Sequence, residues 1–165
     1  TFAELGGGKI TPQQAPDSIS FAKLLTDPKA KGARQNLIMQ SIGPFVGRDG
    51  AWKLCLCPGS GASGKHGNTP GMDEAWRAKL KEFGKAPTWK DIAKAPFVQL
   101  FNVKTDPHED RNLAAEQPGR AAKMVALLRQ QIAAGRSTPG PKLSNGRPRI
   151  NINPRVPEFV RKQLK

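Results

Sequence analysis

The chain is 165 residues long and carries 27 Lys and Arg against 13 Asp and Glu, a formal net charge of +14. That length suits one domain with a real core, no apolar run approaches the roughly 20 residues of a membrane-spanning helix, and two cysteines are too few for a disulfide framework. With 37% hydrophobic residues but 17 Gly, 15 Pro and no Tyr, the composition predicts a compact module carrying long irregular loops.

Thr1 to Leu5 reads as the end of a helix closed by Gly6-Gly7-Gly8. With neither an initiator Met nor a signal region ahead of it, the expectation is a cut inside something longer. After a loop, Asp17 or Ser18 is placed to cap a short helix through Leu25, with Ile19, Phe21, Leu24 and Leu25 as its apolar side and Asp27-Pro28 as its stop. Three strands are predicted next, over Leu37 to Ile42, Phe45 to Arg48 and Trp52 to Cys57. Asp49-Gly50 between the last two is a strong hairpin signal whose tight turn asks for positive φ at both central positions.

About forty residues then intervene before the next strand, enough to be functional or self-structured. Pro58 to Gly71 is irregular and glycine-rich; a short helix capped by Asp73 carries Trp76, Leu80 and Phe83 on one face, and Thr88 and Asp91 stand at capping-box spacing. Phe97 to Val103 alternates as a strand inside a sheet, with Val98 and Leu100 facing one way and Phe97, Phe101 and Val103 the other. Asp106-Pro107 turns the chain. From Pro118 the stripe Ala121, Val125, Leu128 and Ile132 marks one face of a helix that ends at Gly135. The expected fold is α+β: a small antiparallel sheet of about four strands, packed on one face by the C-terminal helix and interrupted by the long insertion.

Two motif likenesses fail on their chemistry. Gly59 to Lys65 spells most of a phosphate-binding loop, but His66 stands where a hydroxyl should hold Mg²⁺, and Asn68-Thr69-Pro70-Gly71 breaks the chain where a helix should begin. Cys55, Cys57, His66 and His108 offer two thiols and two imidazoles, yet cysteines one residue apart lack the turn spacing of a structural zinc site. Nor do two His, with no obvious Ser partner and no paired buried carboxylates, make a hydrolytic centre. The charge suggests a polyanionic partner, against the plainer reading of a solvated basic surface with a basic tail, and half of it lies in the segment from Arg136 to Lys165, which holds eight basic residues against Glu158 alone. Exposed aromatics interleaved with the basic residues are missing, which argues against nucleic acid.

The stretch from Pro96 to Ala114, Pro-Phe-Val-Gln-Leu-Phe-Asn-Val-Lys-Thr-Asp-Pro-His-Glu-Asp-Arg-Asn-Leu-Ala, resembles the Leu-(Tyr/Phe)-(Asp/Asn)-Leu-x-x-Asp-Pro-x-Glu-x-x-Asn-Leu-Ala signature near the C-terminus of type I, formylglycine-dependent sulfatases. Thr1 to Leu5, Asp17-Ser18 with Leu24-Leu25, and Gly50-Ala51-Trp52-Lys53-Leu54 resemble family segments in family order. Ala133-Ala134-Gly135-Arg136-Ser137-Thr138-Pro139-Gly140 is similar to the close of the last helix in bacterial members. The resemblance covers nearly the whole chain.

It implies a division into residues 1–35, the tail end of a catalytic domain, residues 36–136, a C-terminal subdomain with the insertion at 58–95, and residues 137–165, a basic irregular tail. It also implies what this stretch lacks. The family's Cys (or Ser)-x-Pro-x-Arg motif, source of the formylglycine, and its calcium ligands belong to the larger N-terminal domain. Cys57 is followed directly by Pro58, and Ser137-Thr138-Pro139-Gly140-Pro141 has Pro where Arg is needed. No catalytic or metal-binding residue is therefore expected here, and no cofactor in this chain, the parent family using calcium and formylglycine.

The expected role is the C-terminal piece of a periplasmic or secreted enzyme that hydrolyses sulfate esters of a sulfated glycan or an N-acetylgalactosamine-6-sulfate-like sugar. Alone, this piece is expected to be inactive, and its partners are the N-terminal catalytic domain and the sulfated saccharide. Its candidate substrate contacts are Gln40, Ser41, Arg48, Lys65 and His66, from strand ends and the glycine-rich insertion. Many relatives have His-His-Ser where this chain has Met39-Gln40-Ser41, so an imidazole contact is lost there, although the Gln40 amide still offers a hydrogen bond. The alternative from another class is a free-standing basic module that binds a polyanion.

Overall fold

The computed structural model describes residues 1–40, 45–57, 96–147, 150, 152 and 162. Two short helices, α1 (Phe2–Leu5) and α2 (Ala22–Thr26), precede the strands β1 (Asn36–Gln40), β2 (Phe45–Asp49), β3 (Trp52–Leu56) and β4 (Val98–Asn102), and α3 (Pro118–Ala134) closes the fold. The sheet is fully antiparallel in the order β1-β2-β3-β4, and α3 lies against its central strands β2 and β3. This is the α+β arrangement expected from the pattern. The expected helix and aromatic set of the insertion lie outside the described residues.

Strand alternation divides the sheet into two apolar faces. Leu54, Leu56, Val98 and Leu100 meet Ala121, Met124, Val125 and Leu128 of α3 in the main core. Leu54 and Leu100 are opposite partners across the β3–β4 ladder and have no exposed surface. Burying each such side chain contributes about 2 kcal/mol. On the other face Cys55, Cys57 and Phe101 form a second cluster with Val46 and Val103. Phe97 departs from the expected alternation: it lies before the first β4 residue, where strand parity no longer applies, and packs with the helix-side core.

The hairpin between β2 and β3 sits where expected, but its turn differs. Asp49 is still paired, opposite Trp52, so the two-residue loop is Gly50-Ala51. Only Gly50 has positive φ (55°), which makes this a glycine-first hairpin loop rather than one needing positive φ twice. The cross-strand register decided the turn, not the Asp-Gly pair.

Helix α2 begins later than its capping residues predicted. Asp17 is turned away to accept the Ser137 backbone N–H at 2.7 Å, and the hydroxyl of Ser20 instead accepts the Ala22 N–H at 3.2 Å. By contrast α3 has the predicted limits. Pro118 occupies its first turn, and Gly135 adopts the left-handed conformation (φ 66°). The Gly135 and Arg136 N–H groups reach back to the Ile132 and Gln131 carbonyls, the two bonds of a Schellman closure. At the other end of the helix the Arg120 guanidinium lies 4.4 Å from the centre of the Trp52 ring, a cation–π contact of about 0.5 to 1 kcal/mol at an exposed site.

Candidate functional site

Three polar constructions surround this core. The first follows β4. Asp106 folds the 106–111 loop around its own carboxylate: Oδ1 accepts the Asp110 N–H and Oδ2 the Arg111 N–H, both at 3.0 Å. Burial pushes this carboxyl up, but the N–H groups of Arg111, Asp110 and Glu109, with His108 nearby, outweigh it and hold the group below its usual range. Glu109 takes positive φ (61°), and its carboxylate meets the Lys53 ammonium at 2.6 and 2.8 Å. Asn112 then reaches the outer edge of β4. Its Oδ1 accepts from the Leu100 and Ala114 N–H groups at 3.0 Å, while Nδ2 donates to the Val98 carbonyl at 3.3 Å.

The second construction is Arg136, which the sequence counted into a basic tail. It is buried, 8% exposed. Its Nη1 donates to the carbonyls of Pro12 at 2.8 Å and Pro141 at 3.1 Å, Nε to the Thr138 carbonyl at 2.9 Å, and Nη2 to the Thr138 hydroxyl at 3.1 Å. The Thr138 hydroxyl in turn donates to the Pro16 carbonyl. The guanidinium and the Thr138 hydroxyl together tie residues 12–16 to residues 136–141, the charge met by oriented dipoles rather than a carboxylate. Gly140 (φ 149°) lies against it so closely that a Cβ there would collide with the guanidinium. A signal for this did exist in the sequence: a glycine four residues beyond an arginine, flanked by two prolines.

The third is a pair of clefts on either side of Gln131, one of about 300 Å³ and one of about 560 Å³. Gln40 lines the smaller with Asp17, Arg34, Ser137 and Asn145. Arg34 is held there by the Asp17 carbonyl, at 2.8 Å from Nη2, and Asn145 by the Ile132 carbonyl, at 2.7 Å from Nδ2. The larger cleft runs between α3 and residues 33–36, with Asn36, Gln130 and Gln131 in its wall and Ser137 to Gly140 at its end.

Of the five candidate contacts, Gln40 and Arg48 are described; Ser41, Lys65 and His66 lie outside the described residues. The structure does not bring Gln40 and Arg48 together. Gln40 pairs with Phe45 and Arg48 with Leu37 and Lys53, so alternation puts Gln40 on the helix side of the sheet and Arg48 on the other. Arg48 is exposed and donates through Nε to the Gly50 carbonyl at 3.1 Å. Sequence reasoning passed over Arg34 and Gln131 and gave Asp17 a capping role, whereas the partners found are Asp17 for Arg34, Asn36 for Gln131 and Ser137 for Asp17.

Cys55 is fully buried. Burial pushes its thiol up to about 12; Lys53 opposes the shift, while Cys57 and Glu109 add to it. Among the described residues no group of three or more His, Cys, Asp and Glu is arranged to hold a metal ion, and none of their helices is long and apolar enough to cross a membrane.

No family model and no curated protein matches the chain. Among solved structures, it is similar to a Bacteroides thetaiotaomicron sulfatase, from work on a versatile core genetic locus that orchestrates metabolism of multiple glycosaminoglycans. The likeness has a TM-score of 0.51 at 19% identity and covers 78% of this chain but 22% of that one. It shows a shared fold, and this chain spans less than a quarter of that protein's length.

Proposed function

We propose that this chain is the C-terminal part of a formylglycine-dependent sulfatase acting on a sulfated glycan, and that it braces the enzyme rather than carrying the reaction. The observation that carries the proposal is the Asp106-to-Asn112 loop. The residues that spell the family-like signature are the ones that fold the loop and lock it onto β4, within a fold like part of a sulfatase chain. Residues 1–35 belong on this reading to the tail of the catalytic domain and residues 36–136 to the C-terminal subdomain. The parent works in the periplasm or outside the cell.

The apolar surface supports a large missing partner. Phe2, Leu5, Ile10, Phe21, Leu24, Leu25, Leu37 and Met39 are all exposed, Phe2 at 87%. Among the described residues the exposed large hydrophobics fall within the first 39, and they are the kind of surface that an adjoining domain covers. Cys (or Ser)-x-Pro-x-Arg, the source of formylglycine in that family, occurs nowhere in the sequence. Nucleophile and metal come on this reading from the catalytic domain. The burial of Arg136 also takes one cation out of the surface that a free-standing polyanion module would use.

Two measurements test the proposal. The reading frame upstream of Thr1 should encode Cys (or Ser)-x-Pro-x-Arg, and a frame without it overturns the sulfatase assignment. The purified chain should not turn over 4-nitrophenyl sulfate, whereas the chain joined to its upstream sequence should; turnover by the isolated chain overturns the bracing role.

A further inference from the structure

The cleft of about 560 Å³ between α3 and residues 33–36 has a chemical character unlike the rest of this basic protein. Its polar side chains include four carboxamides, Gln35, Asn36, Gln130 and Gln131. The arginine that reaches it, Arg136, spends four of its five N–H groups on the Pro12, Thr138 and Pro141 oxygens. A hydroxyl-bearing turn, Ser137-Thr138, ends the cleft, and the aliphatic side chains of Ile19 and Leu127 line it.

Two of the amides are fixed by one another across 95 residues. The Gln131 Nε2 donates to the Asn36 Oδ1 at 2.7 Å and to the Ser137 carbonyl at 3.4 Å. Both of its N–H groups and the Asn36 oxygen are thereby used. What remains is the Asn36 Nδ2, two N–H donors, and the Gln131 Oε1, an acceptor. A donor and an acceptor without charge, on two side chains joined by a hydrogen bond in one cleft wall, suit a partner whose neighbouring groups each accept and donate, which is the property of adjacent sugar hydroxyls. An anion meets one cation in this lining, Arg136, four of whose five N–H groups are already bonded to protein oxygens, and a purely apolar ligand would leave the amides without partners at a cost of about 1 to 3 kcal/mol for each one desolvated.

We infer that this cleft binds an uncharged sugar unit, with the Asn36–Gln131 pair reading adjacent hydroxyls and Gln35 and Gln130 hydrogen-bonding at the rim. The choice of saccharide over peptide rests on the sulfatase reading above, but the site is testable by binding alone, whatever the upstream sequence encodes. The full chain is titrated with two neutral trisaccharides, chitotriose and cellotriose, with inorganic sulfate and with trialanine amide. Side-chain amide resonances of Asn36 and Gln131 report occupancy of the cleft.

Either trisaccharide should bind with a Kd of about 1 mM and shift those resonances. Gln130→Ala and Gln35→Ala, exposed residues whose side chains make no hydrogen bond within the protein, should each weaken binding by about fivefold while leaving the thermal midpoint in place. Saturation by neither trisaccharide, tighter binding of sulfate or of the peptide amide, or undiminished affinity in both variants would overturn the inference. Sugar binding by a chain whose upstream frame lacks the nucleophile motif would sustain the cleft and sink the sulfatase reading; the reverse result would do the opposite.

Discussion

Asn112 completes the hydrogen bonding of Leu100 on the free edge of β4, accepting its N–H at 3.0 Å while the Leu113 N–H donates to the Leu100 carbonyl at 2.8 Å. A second contact, from the Asn112 Nδ2 to the Val98 carbonyl, gives one side chain the role of a neighbouring strand. Exposed strand edges are templates for unwanted pairing, and covering one with a loop removes that risk. Asn112→Ala leaves the Leu100 N–H, the Ala114 N–H and the Val98 carbonyl short of partners. We expect a loss of about 2 kcal/mol, read as a lower urea midpoint at unchanged slope, and a greater tendency to aggregate. An urea midpoint within error of wild type would show that water replaces the side chain without penalty.

Asp106 makes the same loop sensitive to acid. Its folded carboxyl titrates below the ordinary 3.8, so the folded state holds its proton less tightly than the unfolded chain. The resulting stabilisation is complete above the unfolded value and is lost as pH falls through the lower folded one. Asp106→Asn should destabilise the protein at neutral pH, because an amide has one accepting oxygen for two N–H groups. It should also flatten the fall in thermal midpoint below about pH 4. Parallel wild-type and variant curves across that range would assign the acid sensitivity to another carboxylate.

Cys55 shows what burial does to a thiol. Folding favours its protonated form, so its contribution is full below the unfolded value of 9.0 and is lost as pH rises towards about 12. The thiolate is the reactive species, and the side chain has no exposed surface. Iodoacetamide at pH 8 should therefore leave Cys55 unmodified in the folded protein and alkylate it in urea, as residue-resolved mass spectrometry can follow. Alkylation of Cys55 at equal rates in both conditions would contradict its place in the second core.

These cases separate what local sequence carries from what it does not. The period-two run at Val98–Asn102 and the stripe Ala121, Val125, Leu128 locate β4 and α3 because each depends on neighbours within a few residues. Asp17 misled because a cap and a long-range acceptor need the same carboxylate, and Ser137, 120 residues away, took it. The amide pair of Asn36 and Gln131 was invisible for the same reason: neither residue has a local pattern, and only the packing of α3 beside β1 joins them. Arg136 is the sharpest case. Counted as charge, it pointed to a polyanion; placed in the fold, it is a buried tie.

That tie yields the last expectation. Removing the guanidinium leaves the Pro12, Thr138 and Pro141 oxygens without its donors, so Arg136→Met should destabilise the fold by about 2 to 3 kcal/mol and release residues 12–16 to limited proteolysis. Gly140→Ala should be harmful by a different route, since its Cβ meets the guanidinium and its φ of 149° suits glycine. If the collision is the main cost, placing Gly140→Ala in the Arg136→Met background should recover much of its penalty, a coupling of about 1 kcal/mol or more in a double-mutant cycle. If instead backbone strain dominates, the two losses should simply add. Additive behaviour would leave Arg136 as the tie but remove Gly140 from its enclosure, which the denaturation midpoints of the four proteins decide directly.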